Sequence, residues 1–299
     1  MTAPSLDGRE GREAPGRVGH VSARLLLAAL LAAVIGLAAA AGACGSSAAS
    51  STESPAASPA ASSAATVSLT DAEKAYLAGK GTLTVGAFND YAPYGFVDEK
   101  GAATGISVDY WNLVAQRLGV KVAFVPVLFA DQLDGLKTGK FDSLQGIFPK
   151  PEREQWFAFS SPFYDVGTYM YVDAAHAGVT SADELKGLTV AVVDGDSGQI
   201  LADQAGLKTM VVAGYPQAVK AVGSGKAEAT IMDELPADYY IKQFGLSGKV
   251  KQVGQPLDHG TMTLPVQKDN TVLLGILNKG VASISPAEVQ SISDRWLGL

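Results

Sequence analysis

Beyond Thr66 the chain alternates short runs of β-branched and aromatic residues with runs of helical period. Thr70 and Glu73 stand three apart as a capping box, and the short helix they open should stop at Gly79. The pattern then predicts a strand over 82–88 (TLTVGAF), a turn-rich loop to Gly105, a helix over 107–118 ended by Gly119, and a strand over 120–127. A helix over 130–138 should end at Gly139. A short strand near 143–147 leads into Phe148-Pro149-Lys150-Pro151.

A second set follows. It comprises a strand over 167–173, a helix over 182–186 capped by Ser181 with Glu184, and a strand over 188–194 (LTVAVVD). Helices near 198–205, 216–223 and 234–244 separate strands at 209–213, 229–233 and 249–253. The remainder is a strand over 261–266, a helix over 271–283 and a last helix with Ser285 as N-cap, Pro286 at its first position and Glu288 at its third. Strand-helix alternation of this kind implies parallel sheets covered on both faces. Two such sets, with the end of the chain returning after the second, suggest two α/β lobes.

The first 66 residues carry a different pattern. Residues 1–24 are polar with four arginines, 25–43 are wholly apolar, and Cys44, the only cysteine, follows a run of small residues. That order is the layout of a signal peptide, although the apolar run is also long enough for an uncleaved membrane-spanning helix. Residues 45–66 are Gly, Ser, Ala, Thr and Pro with one Glu, which cannot bury enough apolar surface to offset chain entropy. They are expected to form a disordered tether, spanning about 25 Å as a flexible coil.

Charge narrows the partners. With 23 basic and 30 acidic residues the net charge is −7, and up to Thr66 four arginines balance four acids, so the excess belongs to the folded part. An acidic domain argues against nucleic acid or an anionic membrane surface as partner. With one cysteine no internal disulfide can form, and the isolated His20, His176 and His259 give no adequate ligand set for a metal.

Several segments invite chemistry. Gly195-Asp196-Ser197-Gly198 matches the surroundings of a chymotrypsin-type serine, and Ala174-Ala175-His176 imitates the matching histidine segment. The two lie too close together, within strand-helix alternation, for a double-barrel protease. The segment also fits a strand end, a glycine-bearing turn and a helix start, which aim N–H groups and a hydroxyl at one point where an anion can bind; helix capping by Ser197 or Asp196 is the plainer alternative. Arg153 could grip a carboxylate bidentately or remain a surface arginine paired with Glu152 or Glu154. Asp233 ends an apolar strand where open α/β sheets place ligands, or it caps a helix. Phe88, Tyr91, Phe129 and Phe148 fall at or just after strand ends, as ligand walls or as core.

Taken in order over residues 80–297, these segments resemble the bacterial extracellular solute-binding proteins of family 3, which serve polar amino acid transporters. The resemblance rests on Val85-Gly86 with Tyr91-Ala92-Pro93-Tyr94-Gly95-Phe96, then Gly105-Ile106-Ser107-Val108-Asp109 and Leu136-Lys137-Thr138-Gly139-Lys140-Phe141-Asp142. Pro151-Glu152-Arg153, Phe159-Ser160-Ser161-Pro162-Phe163-Tyr164 and Leu185-Lys186-Gly187-Leu188-Thr189-Val190 continue it. Ala41-Gly42-Ala43-Cys44 is similar to a lipobox, which implies a signal peptide over 1–44 and a lipid on Cys44. Leu69–Leu77 and Leu277–Pro286 look like the ligand-binding modules of sensor kinases.

The resemblance implies a type II periplasmic-binding fold of two lobes, each a mostly parallel sheet flanked by helices. The lobes are expected at 67–168 with 258–299 and at 169–257, with crossovers near 165–172 and 253–261 and a ligand between them. By position Arg153 resembles the family's carboxylate-binding arginine, Ser197, beside Gly198, its anion-binding hydroxyl residue, and Asp233 the acid for the ligand's ammonium. Tyr91 and Phe129 resemble its aromatic walls. Family members usually carry Ser or Thr two residues after Gly146, where this chain has Phe148, and Phe88 replaces a polar contact of some members, so the pocket is expected to be more apolar. The implied function is capture of a small, amino-acid-like molecule outside the cytoplasm and its delivery to the permease of an ABC transporter, by a lipid-anchored monomer without cofactor or catalysis. The alternatives are a stand-alone sensory module presenting its solute to a membrane receptor, and a lyase or murein-acting enzyme, for which Asp233 and Glu234 are the adjacent acids.

Overall fold

The computed structural model describes residues 67–298, so Cys44, the apolar run before it and the tether lie outside the described residues. The chain enters through α1 (Asp71–Lys80), whose capping box closes as the sequence predicts: Glu73 N–H donates to Thr70 Oγ1 at 3.3 Å and Thr70 N–H to Glu73 Oε2 at 2.7 Å. β1 (Thr82–Phe88) follows, then three short strands, β2 (Asp90–Tyr91), β3 (Gly95–Val97) and β4 (Ala103–Thr104), in a small antiparallel sheet. α2 (Ile106–Leu118), β5 (Lys121–Val127), α3 (Phe129–Lys137) and β6 (Ser143–Leu144) complete the first set. β1 runs between β5 and β6 in a parallel sheet. Its residues Leu83, Val85 and Ala87 are buried, and the buried Trp111 of α2 donates from Nε1 to the Leu144 carbonyl of β6 at 3.0 Å.

After α4 (Pro151–Glu154) and β7 (Phe157–Phe159) the chain leaves along β8 (Tyr164–Asp173). The second sheet adds β9 (Thr189–Val193), β10 (Lys208–Val212) and β11 (Ala229–Asp233), with α5 (Ser197–Gln204), α6 (Tyr215–Gly223) and α7 (Glu234–Gln243) between and after them. Its order is β10-β9-β11-β8-β12, where β12 (Val250–Met262) brings the chain back. The first three strands are parallel, and β8 and β12 are antiparallel, so this sheet is mixed. β13 (Pro265–Gln267) pairs with β7, and α8 (Thr271–Ala282) and α9 (Pro286–Leu297) pack on α2, finishing the first lobe with the end of the chain.

Two expectations change. The strand predicted at 249–253 continues to Met262 and takes in the first two residues of the one predicted at 261–266, whose end falls in β13, because residues 258–262 pair with 164–168 of β8 on the way back. That ladder satisfies backbone groups that would otherwise cross between lobes unpaired. Pro256, which cannot donate to a ladder, lies where the register shifts, between Val253 and Asp258. The helix expected over 182–186 is a single 3-10 turn, Ala182–Leu185, without a side-chain cap from Ser181; Glu184 instead accepts from the Thr180 N–H at 2.6 Å.

Candidate functional site

Strand ends and helix starts from the two lobes face each other. From the first lobe come Phe88 at the end of β1, Tyr91, Phe129 at the start of α3, Gly146, Phe148 and Arg153; from the second come Ser197 and Asp233. These line a common cavity of about 10 Å³, room for roughly one water, so the lobes must part before a larger molecule can enter. A buried glutamine fixes the first-lobe wall: Phe88 N–H donates to Gln145 Oε1 at 2.7 Å, and Gln145 Nε2 donates to the Tyr94 carbonyl at 3.3 Å. The Phe88 and Phe129 rings stack at 5.6 Å, and Phe88 and Tyr91 meet at 4.6 Å.

Arg153 is 5% exposed and not a surface arginine. Nη1 donates to the Phe148 carbonyl at 2.9 Å and Nη2 to the Gly195 carbonyl at 3.1 Å, so the guanidinium ties the lobes together. Gly195 holds φ +73°, the left-handed conformation that turns its carbonyl toward the arginine at little cost for glycine. The guanidinium lies over the Phe129 ring, 5.3 Å from its centroid, while burial lowers its pKa. Nε has no hydrogen-bond partner among the described residues, and neither does Ser197 Oγ. Two buried donors left in this way are the kind of groups a bound anion satisfies.

Asp233, the last residue of β11, accepts from the hydroxyls of Tyr91 and Thr168. Burial, reinforced by the nearby Asp196, pushes its carboxyl up to about 7, against those two hydrogen bonds and Arg153. The sequence holds no sign of this raised value, since it arises from burial between lobes.

Four lining residues escaped the sequence reading: the apolar Ile147 and Met262, and the polar Asp196 and Tyr215. Asp196, 6% exposed, takes the N-cap position of α5 without closing a capping hydrogen bond. Burial raises its pKa, while Arg153, the N–H groups of Ser197 and Gly198 and the Tyr215 hydroxyl favour its ionised form. Tyr215 starts α6 and packs against Tyr91 with ring centroids 4.5 Å apart. Asp196 was legible only as a possible cap, and Tyr215, after a glycine at a helix start, carried no distinctive signal.

Gly198 does not line the cavity. A Cβ there would stand 2.2 Å from the Ile231 carbonyl oxygen, so this glycine lets α5 close onto β11. The serine-protease resemblance ends here too, because Ser197 Oγ has no base beside it. A larger groove of about 560 Å³ on the first lobe, between Tyr110, Phe163 and Val289, contains none of the unpartnered buried atoms.

Residues 83–299 match the bacterial extracellular solute-binding proteins, family 3. The chain belongs to that family. A probable amino-acid ABC transporter-binding protein of Haemophilus influenzae is 33% identical over 168 residues, which cover 56% of this chain and 65% of that protein. The virulence sensor protein BvgS of Bordetella bronchiseptica is 29% identical over 231 residues, 76% of this chain but 18% of the sensor. The chain thus spans somewhat less than two thirds of the first relative and a small part of the second. Among solved structures, an ancestral arginine-binding protein bound to glutamine superposes with a TM-score of 0.67 at 30% identity, covering 73% of this chain and 99% of that one. The two-lobed type II periplasmic-binding fold of these family 3 structures is the architecture described above.

Proposed function

We propose that this family 3 protein captures a small amino-acid-like molecule in the cleft between its lobes and delivers it to the permease of an ABC transporter. The observation that carries this reading is the convergence, on one cavity, of Arg153 Nε and Ser197 Oγ, both buried without partners among the described residues, with the buried carboxyl of Asp233. An anionic group would sit at Arg153, Ser197 and the start of α5, and an ammonium at Asp233. The two halves of the site belong to different lobes, so ligand favours the closed arrangement by its differential contacts there. We take 67–168 with 258–299 as one lobe and 169–257 as the other; the paired β8 and β12 between the sheets support this division and form the hinge. The name of the Haemophilus relative supports both the amino acid and the transporter. Anchoring through a lipid on Cys44 would hold the domain near a permease in the same membrane.

A sensory role is the second reading. It is favoured by the similarity to BvgS and by the packing of the two sensor-like stretches on each other, where Lys279 Nζ meets Glu73 Oε2 at 2.6 Å. Catalysis is not part of the proposal: Asp233 is ionisable near neutrality, yet both its oxygens are engaged by hydroxyls. Mass spectrometry of the small molecule released from the purified protein, followed by calorimetry with that compound, tests the reading. An amino-acid-like compound bound stoichiometrically and returned unchanged is expected. Product formation, or a ligand with neither carboxylate nor ammonium, would overturn it.

A further inference from the structure

Among the described residues Arg153 is the only basic side chain lining the cavity, and it faces two buried carboxyls, Asp196 and Asp233. Asp196 lies beside the guanidinium without a direct ion pair, and the donors that face it are the N–H groups of Ser197 and Gly198 and the Tyr215 hydroxyl. From these positions we propose that Asp196 is a specificity residue that makes the cleft select ligands of net positive charge, a dibasic amino acid or small amine, over neutral zwitterions and acids. The proposal rests on the cleft reading above.

The charge count decides it. With Asp196 and Asp233 both ionised, one guanidinium faces two carboxylates and the closed cleft holds one negative charge in excess; a neutral zwitterion leaves that excess in place or requires one of the two buried carboxyls, both raised by burial, to take up a proton. A ligand of net charge +1 cancels the excess, whereas an acidic ligand deepens it; in a dry cleft an uncompensated charge is costly. The second support is independent of the acids. Phe88, Tyr91, Phe129 and Tyr215 present rings around the same cavity, and aromatic faces attract cations; Arg153 already uses the Phe129 face. The cleft therefore offers a cation negative charge and π faces at once. The ligand's own anionic group, where it has one, approaches Arg153 Nε and Ser197 Oγ with Asp196 alongside, which penalises ligands that bring no second cation.

The test is calorimetry on the full-length protein in detergent with L-arginine, L-ornithine, putrescine, L-glutamine and L-glutamate, for wild type and for Asp196→Asn and Asp196→Ser, each shown to be folded by its melting transition. Wild type is expected to bind the best cationic ligand at least about tenfold more tightly than L-glutamine, and L-glutamate more weakly still. Both variants should reduce the ratio of cationic to neutral affinity by about tenfold or more while still binding amino acids. Tighter binding of L-glutamine than of every cation by wild type, or an unchanged ratio in the two variants, would overturn the inference and leave the cleft reading intact. If wild type bound none of the five, the cleft reading would fail together with it.

Discussion

The hydroxyl of Tyr91 donates to Asp233 from the opposite lobe, joining residues 142 positions apart in sequence. Asp233 accepts a second hydroxyl from Thr168 in β8, so one buried carboxyl is held from the facing lobe and from the hinge at once. Tyr91→Phe removes the cross-lobe donor and leaves a buried oxygen with one partner fewer. The expected loss is about 1–3 kcal/mol, read as a lower denaturation midpoint with unchanged far-UV circular dichroism.

The same carboxyl should make ligand affinity depend on pH. Burial raises Asp233 to about 7 and Asp90 to about 6, whereas unfolded aspartates titrate near ~4. Between those limits the folded chain holds more protons than the unfolded one, so the contribution of these two groups to stability falls as pH rises from about 4 to 7 and levels off above. Affinity for an ammonium-bearing ligand moves the other way. It requires ionised Asp233, so it should weaken by up to about tenfold per unit as pH falls below about 7. Calorimetry between about pH 5 and 8 checks this, and Asp233→Asn should flatten the dependence.

Arg153→Ala should weaken binding of a carboxylate-bearing ligand by about thirty-fold or more, the effect of removing one partner of a buried charged contact worth roughly 2–5 kcal/mol. Phe148→Thr should be tolerated and shift preference toward more polar ligands, because it places a hydroxyl near the guanidinium and removes an aromatic wall. Wild-type affinity in a folded Arg153→Ala protein would show that the anion sits elsewhere.

Gly198→Ala drives a methyl against the Ile231 carbonyl and should force α5 away from β11. About 1–3 kcal/mol of destabilisation is expected, a fall of roughly 2–10 °C in melting temperature. Because α5 carries Ser197 at its start, ligand affinity should fall as well.

Cys44→Ser should release the folded domain from the membrane fraction without changing its ligand affinity, as fractionation and calorimetry would show. Continued attachment would favour an uncleaved apolar helix over residues 25–43.

What the sequence determined by itself is what local rules govern. Apolar periodicity placed β1 at 82–88 and β11 at 229–233 residue for residue, and the Thr70 and Ser285 capping boxes marked the starts of α1 and α9, because strands and caps are set by neighbours within a few positions. The ordered motifs were enough for the family and its fold, and they singled out Arg153, Ser197 and Asp233. Only the tertiary structure decided how those groups act on one another. The extension of the strand predicted at 249–253 as far as Met262 depends on pairing with β8, which starts 86 positions earlier in the chain, at Tyr164 against Val250. That Gly198 packs against the Ile231 carbonyl was likewise not legible in the sequence. Asp196, which reads in the sequence as an ordinary helix cap, became a buried carboxyl beside Arg153, since burial and electrostatics are properties of what the other lobe brings close and not of the residues beside it in the chain.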